Sequence, residues 1–387
     1  MTSATAESFV SEPQAPRSPV WLTLLNYLVI MLLGGLMIFS GLIKINDPIG
    51  TALKMEEYFE VFANRISPFF HAFVPFALHI GIAMCVLEVV LGLALLINYR
   101  RIPTLWLLLL LMIFFSFLTF YSAYTDAVRD CGCFGTFIQL KPWHSFYKDL
   151  VLDAMILFLL VQPRIMRNDS SALTQSTVLG GLVLSVLLAV LAVMYMPYLD
   201  FMPYAVGKSI IKQSKPEKPP IFQYIMTKDG KDIVFDKYPT DKSYKFKEMV
   251  TLNPEESTPK ISDFVYFNDS LNFTADSLKG KQLFVIIPNF NKADRESFVE
   301  INKLAAASEK AGIQVIALMW DDGSGKLEEF KHDVQLAATV YMADGTLLKT
   351  MARTNPCLLY LNDGLILGKW GHRKLPGIED LLTLNKN

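Results

Sequence analysis

The chain has 387 residues, a formal net charge of −1, 52% hydrophobic and 19% charged residues. That length implies two or three units, and the balance is too apolar for an ordinary soluble protein yet too charged for one embedded throughout. Near-neutral charge without a basic stripe excludes nucleic acid as a partner, and four cysteines are too few for a disulfide scaffold.

Residues 1–19 are polar and rich in Ser, Ala and Pro. They lack the basic start and small-residue cleavage site of a secretory signal and read as a disordered cytoplasmic tail. A spanning helix needs about 20 mostly apolar residues. Five segments are read as spans: Trp21–Ile43, Phe69–Asn98, Ile102–Tyr124, Phe146–Gln162 and Val178–Tyr198. The second carries Pro75 and begins as an interfacial stretch. The fourth is short and carries Lys148, Asp149 and Asp153 near its start, so an alternative of four spans with a re-entrant fourth run stays open.

Lys and Arg in short loops set orientation. Arg100 and Arg101 join the second and third spans, and Arg164 and Arg167 lie between the fourth and fifth, which puts both loops in the cytoplasm. The N-terminus is then inside, and the loops Lys44–Pro68 and Asp126–Pro142 face outward with everything after Tyr198. Trp143, Tyr198 and Tyr204 are expected as outer interfacial anchors and Trp21 as the inner one. The lipid bilayer is the first partner, and the bacterial cytoplasmic membrane the expected location.

Ionisable residues inside a span cost about 3 kcal/mol and need a reason. Glu88 lies well within the second span. It reads either as a proton-handling acid in a polar pocket for a cofactor headgroup or as a satisfied interhelical hydrogen-bonding group. His79 reads as a core histidine and Cys85 as small apolar filler.

The sharpest local signal is Asp130-Cys131-Gly132-Cys133-Phe134-Gly135, where the third span ends. Two thiols one residue apart close a disulfide only across a sharp bend. Gly132 eases it and Gly135 loosens the exit. So tight a ring is labile and suits electron exchange better than stapling. Three readings stay open: a redox pair, a soft-metal site completed by His144 or another residue, and an inert bend.

Several strings in order resemble the DoxX-like and methylamine-utilisation MauE families of bacterial membrane proteins. They are Ser40-Gly41-Leu42-Ile43-Lys44 with Asp47-Pro48, the Leu/Gly-rich segment around Glu88, Asp130 to Gly135, and Lys148-Asp149-Leu150. The resemblance covers about residues 22–162. It implies a four-helix membrane domain over 20–165, with a fifth helix at 176–200 as a tether. It also implies maturation or disulfide formation in exported proteins for MauE, and quinone or sulfur redox chemistry for other DoxX-like members.

Beyond Tyr198 the composition shifts. Residues 201–259 read as a linker, extended over Lys208–Pro220, and a hairpin of Phe222–Thr227 and Asp232–Phe235 around Lys228-Asp229-Gly230. Residues 260–387 alternate strand and helix. Gln282–Pro288 and Ile313–Trp320 are expected strands, Arg295–Ala311 and Gly325–Leu336 expected helices. Leu358–Leu361 and Leu365–Trp370 form a closing hairpin before a helix over Pro376–Leu384.

Ile261-Ser262-Asp263-Phe264, Leu278-Lys279-Gly280-Lys281 and Asn355-Pro356 resemble the peroxiredoxin- and TlpA-like branch of the thioredoxin superfamily. That resemblance implies an α/β thioredoxin-like domain outside the membrane with Pro356 as its cis-proline. Redox-active members carry Cys-x-x-Cys after the first buried strand, whereas here that place reads Pro288-Asn289-Phe290-Asn291-Lys292-Ala293-Asp294. Cys357 follows Pro356 and reads either as a partner for a mixed disulfide or as a packed core cysteine.

Three functions follow as expectations. In the first, Cys131 and Cys133 exchange electrons with exported protein thiols or a separate thioredoxin-like protein, and Glu88, Lys44 and Asp149 line a quinone or substrate pocket. In the second, the protein is a non-catalytic membrane-anchored scaffold with a binding edge near Pro356. In the third, it handles a small molecule or metal.

Overall fold

The computed structural model describes residues 19–128, 132, 135, 137–138, 140–162, 169–228, 230–268 and 270–384, apart from the side chain of Glu255. Cys131, Cys133, Arg164 and Arg167 lie outside the described residues. The chain divides into two compact units, one up to Ile45 and from Thr51 to Leu187, the other Asn46–Gly50 with the chain from Leu188 onward.

The first unit is helical. It comprises α1 (Val20–Asn46), α2 (Pro48–Arg65), a 3₁₀ stretch Pro68–Phe76 leading into α3 (Ala77–Leu96), α4 (Arg101–Thr125), α5 (Pro142–Val161) and α6 (Ala172–Met194). Among the described residues four segments are long and apolar enough to cross a membrane: Val20–Asn46, Pro68–Leu96, Arg101–Thr125 and Ala172–Met194. The expected fourth span, α5, has the length but carries Lys148, Asp149 and Asp153, which takes it out of that set. It packs along α4. Leu33, Leu95, Leu105, Leu108, Ile156 and Leu159 are fully buried in one apolar cluster.

Helix α2 corrects the expected loop over Lys44–Pro68. Its acids Glu56, Glu57 and Glu60 and its Lys54 lower the hydropathy, yet Ala52, Met55, Phe59, Phe62 and Ala63 recur at helical spacing and are buried. Gly41 allows α1 and α3 to meet closely. A Cβ there would stand 2.6 Å from Val89 Cγ2 and 2.9 Å from the Cys85 carbonyl oxygen, and small residues at helix contacts permit such approach in membranes. Gly41→Leu is expected to force the helices apart and cost about 1–3 kcal/mol, read as a lower melting temperature in detergent. An unchanged melting temperature would show that α1 and α3 do not meet there.

The second unit opens with a short helix, α7 (Ile210–Gln213), where an extended linker is expected. The first part of that linker is packed. Gly207 N–H donates to the Ile366 carbonyl at 2.8 Å, Ile210 N–H to that of Gly364 at 2.8 Å, and Ile210 is fully buried. Tyr204, expected as an interfacial anchor, is instead buried beside Phe264, with ring centroids 6.3 Å apart. Strands β1 (Phe222–Lys228), β2 (Lys231–Phe235) and β3 (Lys245–Thr251) form an antiparallel sheet in the order β2-β1-β3. It holds the expected hairpin plus a third strand that the charge-rich Lys245–Glu248 run conceals.

After α8 (Pro254–Ser257) come β4 (Val265–Phe267), β5 (Asn272–Thr274), β6 (Lys281–Ile287), α9 (Phe298–Lys310), β7 (Gln314–Met319), α10 (Leu327–Asp333), β8 (Thr339–Ala343), α11 (Gly345–Met351), β9 (Cys357–Asn362), β10 (Leu365–Gly371) and α12 (Ile378–Thr383). The larger sheet runs β10-β9-β6-β7-β8-β4-β5. Strands β6, β7 and β8 are parallel, and β9 is antiparallel to β6. Apolar runs such as Leu283–Ile287 are buried on both faces, as a covered central strand requires. Alternate side chains feed two clusters, one with Phe284, Ile286 and Leu318, the other with Val285, Ile287 and Phe298. The Asn355–Pro356 bond before β9 is cis.

The segment Asn46–Gly50 is part of this unit. Arg353 Nε donates to both oxygens of Asp47 at 2.9 Å, and both residues are 4% exposed. Arg353 also bonds the Lys349 carbonyl oxygen, and Gly50 N–H reaches Asp47 Oδ1 at 2.9 Å.

Candidate functional site

A cavity of about 60 Å³ lies inside the helical unit, room for several waters at roughly 10–15 Å³ each. Glu88 on α3, Lys44 on α1 and Asp149 on α5 all line it. Their burial explains why they must be paired: Glu88 and Asp149 are 1% exposed and Lys44 6%, and an uncompensated charge in such a place costs several kcal/mol. Lys44 Nζ donates to Glu88 Oε1 and stands 4.7 Å from the centroid of the Phe115 ring. Lys44 lies one turn beyond Gly41, so the α1–α3 approach that Gly41 permits also brings this pair together.

Asp149 is held from two sides. Lys148 Nζ donates to its Oδ1 at 2.6 Å and the Thr119 hydroxyl to its Oδ2 at 3.0 Å. One turn further along α5, Asp153 Oδ2 accepts from the Ser116 hydroxyl at 2.7 Å. Each of the two lining carboxylates therefore has a lysine of its own. Glu88 keeps an oxygen in reserve, because its Oε2 is buried without a hydrogen-bond partner among the described residues.

The remaining lining is soft and apolar, with Met37, Met55, Met84 and Met112 among it. Methionine side chains adapt to irregular contents. Lys54 on α2 and Gly132 complete one wall. Gly132 has φ +65°, which glycine adopts without strain, and a Cβ on it would stand 3.4 Å from Lys54 Cγ. Gly135 N–H donates to the Gly132 carbonyl oxygen at 3.0 Å. Cys131 and Cys133, the candidate pair on either side of Gly132, lie outside the described residues.

Sequence reasoning misses Lys54, because the acids of α2 make that stretch read as loop; the period of Ala52, Met55, Phe59 and Phe62 is the signal that could find it. His79 is exposed, so it is not a core histidine, and His144, the candidate to complete a soft-metal site, is exposed too. Among the described residues no group of three or more His, Cys, Asp or Glu could hold a metal.

The second unit holds Cys357 and Pro356. Cys357 is fully buried within the sheet, and burial pushes its thiol up from its ordinary pKa, which suppresses the thiolate that reacts. Among the described residues Cys85 and Cys357 are both free and buried. Both are expected to resist a maleimide in the native protein and to label only after unfolding, as read by mass spectrometry. Native labelling of Cys357 would contradict its packing in the core.

A family model of methylamine utilisation protein MauE matches residues 21–162, the stretch that contains Lys44, Glu88, Cys131, Cys133 and Asp149. No curated protein and no solved structure matches the chain. The match and the four apolar helices fit an integral membrane protein.

Proposed function

We propose that this MauE-matching chain is a membrane thiol–disulfide oxidoreductase whose reacting pair is Cys131 and Cys133. The observation that carries the reading is that Gly132, the residue between the two thiols, lines the same cavity as Lys44, Glu88 and Asp149. The chain sits in the bacterial cytoplasmic membrane with its N-terminus inside. Helix α5 crosses as the fourth of five spans, with its acids turned to neighbouring helices, and α6 tethers a thioredoxin-like domain outside. The seven-stranded sheet and the cis bond before Pro356 support that domain assignment.

Closing a dithiol to a disulfide releases two electrons and two protons. A quinone, when bound, takes up both. Two features of the cavity suit the polar end of such a molecule: its walls are apolar and adaptable, and Glu88 Oε2 lacks a hydrogen-bond partner among the described residues. Lys44 holds Glu88 in place and keeps its second oxygen available to a proton donor. Lys148 and Thr119 fix Asp149 on another wall. The stem of Lys54 lies beside Gly132, while its Nζ donates to Glu57 Oε2 at 2.9 Å.

The test uses the purified full chain with Cys85 and Cys357 left in place. After reduction and removal of reductant, a short-chain quinone is added, and acid trapping with alkylation follows Cys131 and Cys133. The reading predicts their conversion to a disulfide with stoichiometric quinol formation, slowed in Glu88→Gln. Persistence of both as thiols would defeat it.

The second reading, a non-catalytic scaffold, is favoured by one observation of its own. The only described thiol in the second unit, Cys357, is buried, and the Pro288–Asp294 turn carries none. Inert thiols at Cys131 and Cys133 would leave that reading in place.

A further inference from the structure

The small sheet β2-β1-β3 has two faces of different chemistry. Residues opposite each other across strands share a face, and neighbours along a strand alternate. Met226 pairs with Ile233 and Phe246, and Tyr224 with Phe235 and Met249. Lys228 and Lys231, opposite each other, end the same face. Among the described residues of the three strands they are its only charged ones. The acids Asp232 and Glu248 belong to the other face, opposite Thr227 and Ile225. Lys247, at the β3 bulge, turns to that face as well and bonds Asp232.

The Met226 face is apolar and largely uncovered. Tyr238 packs on Tyr224 and Tyr244 on Phe235, with ring centroids 5.4 and 5.0 Å apart, so the 236–244 loop screens part of it. Met226 is buried, yet Ile233, Tyr238, Phe246 and Met249 stay exposed. A three-stranded sheet gains stability by covering its apolar face, and large apolar side chains grouped on a surface mark a contact. The charges indicate the partner. Lysines end this face while the strand acids point away from it, which complements an anionic lipid surface. Tyrosine suits the head-group boundary, and lysines extend their ammonium groups to phosphates. Lys228 also meets Asp241 at 3.6 Å and the Tyr244 ring at 4.6 Å, which leaves Lys231 the more open of the two. The same chain carries α6, long and apolar enough to cross a membrane, and such a tether keeps a lipid surface at high effective concentration.

We propose that the Met226 face of the small sheet docks on an anionic lipid surface, that of the bilayer into which α6 passes. Ile233, Tyr238, Phe246 and Met249 then lie at the level of the head groups and upper acyl chains, and Lys231 and Lys228 meet lipid phosphates. The other face, with Asp232, Val234 and Glu248, stays in water. Docking needs α6 in the membrane but no thiol chemistry, so it stands apart from the redox reading.

The full chain is placed one copy per nanodisc, in a Cys131→Ser/Cys133→Ser background, with a nitroxide on Met249→Cys or on Val234→Cys. Cys85 and Cys357 are buried and stay unlabelled. The two label sites are comparably exposed, at 47% and 54%, but lie on opposite faces. Collision with a water-soluble nickel chelate reports contact with water. A lysine near an anionic surface is worth about fivefold in affinity. In discs of mixed phosphatidylcholine and phosphatidylglycerol the Met249 label is therefore expected to be shielded about fivefold or more relative to the Val234 label. Lys228→Glu/Lys231→Glu, or discs of phosphatidylcholine alone, should return it to water. Should that double variant disturb the hairpin, Lys231→Glu spares the Lys228–Asp241 contact and should return it in part. Phe246→Cys repeats the reading from the neighbouring row of the sheet. Equal access of the chelate to both faces in anionic discs would overturn the proposal. So would shielding unchanged by the lysine variants, or shielding confined to discs that hold two copies, which would make a second chain the partner. Inert thiols in the separate oxidation assay would defeat the redox reading and leave this result untouched.

Discussion

Glu88→Leu is expected to be among the most damaging single substitutions in the helical unit, at about 3–5 kcal/mol, because it removes the buried carboxylate that the Lys44 ammonium is paired with. Lys44 is 6% exposed and sits on a helix that Gly41 holds against α3, so it has no easy route to water. Lys44→Met should cost a similar amount by stranding Glu88. The double variant Lys44→Met/Glu88→Leu should recover most of the loss, since replacing both members of a buried pair by apolar groups is commonly neutral. Unfolding in detergent, followed by circular dichroism, separates the cases. A double variant as unstable as the sum of the two singles would mean that the charges do not compensate each other.

The Arg353–Asp47 pair should behave differently, because its two members are not equally connected. Arg353→Met removes the guanidinium from which both Asp47 oxygens accept and is expected to cost about 3–5 kcal/mol. It also removes the hydrogen bonds to the carbonyl oxygens of Lys349 and Ala352, so a compensating Asp47→Leu should restore only part of the loss. Asp47→Asn keeps an acceptor for Arg353 and for Gly50 N–H and should cost less, about 1–3 kcal/mol. Urea unfolding followed by tryptophan fluorescence orders the three. Equal costs for Arg353→Met and Asp47→Asn would contradict the bonding that Arg353 makes beyond Asp47.

What the sequence reveals depends on whether a residue's partners are local. Apolar runs long enough to cross a bilayer announce α1, α3, α4 and α6, and the β6–α9–β7 alternation is visible because buried parallel strands must be apolar on both faces. Helix α2 is hidden by its own acids, since hydropathy averages over a face that turns outward and a face that does not. Strand β3 is hidden for the same reason, by Lys245, Lys247 and Glu248. At the cavity, Glu88 stands out because an acid inside an apolar run demands an explanation. Lys44 enters only through family resemblance, because it is not unusual in its own stretch of sequence, and Asp149 stands out only as one of the charges that weaken the fourth span. That the three share one cavity is a matter of packing between helices far apart in the chain, which no local pattern encodes. The pairing of Asp149 with Thr119 is likewise a product of tertiary geometry.

The claim on which the redox reading stands is that the Cys131–Cys133 turn and the charged cavity act together. Acid trapping of membranes, with every free thiol alkylated and Cys131 and Cys133 read by mass spectrometry, tests it directly. Parent membranes should hold a mixture of thiol and disulfide that shifts fully with added reductant or oxidant, while Glu88→Gln membranes lag behind in reoxidation. A pair that stays in one state under both treatments, or that cycles at the same rate without the Glu88 carboxylate, contradicts the account.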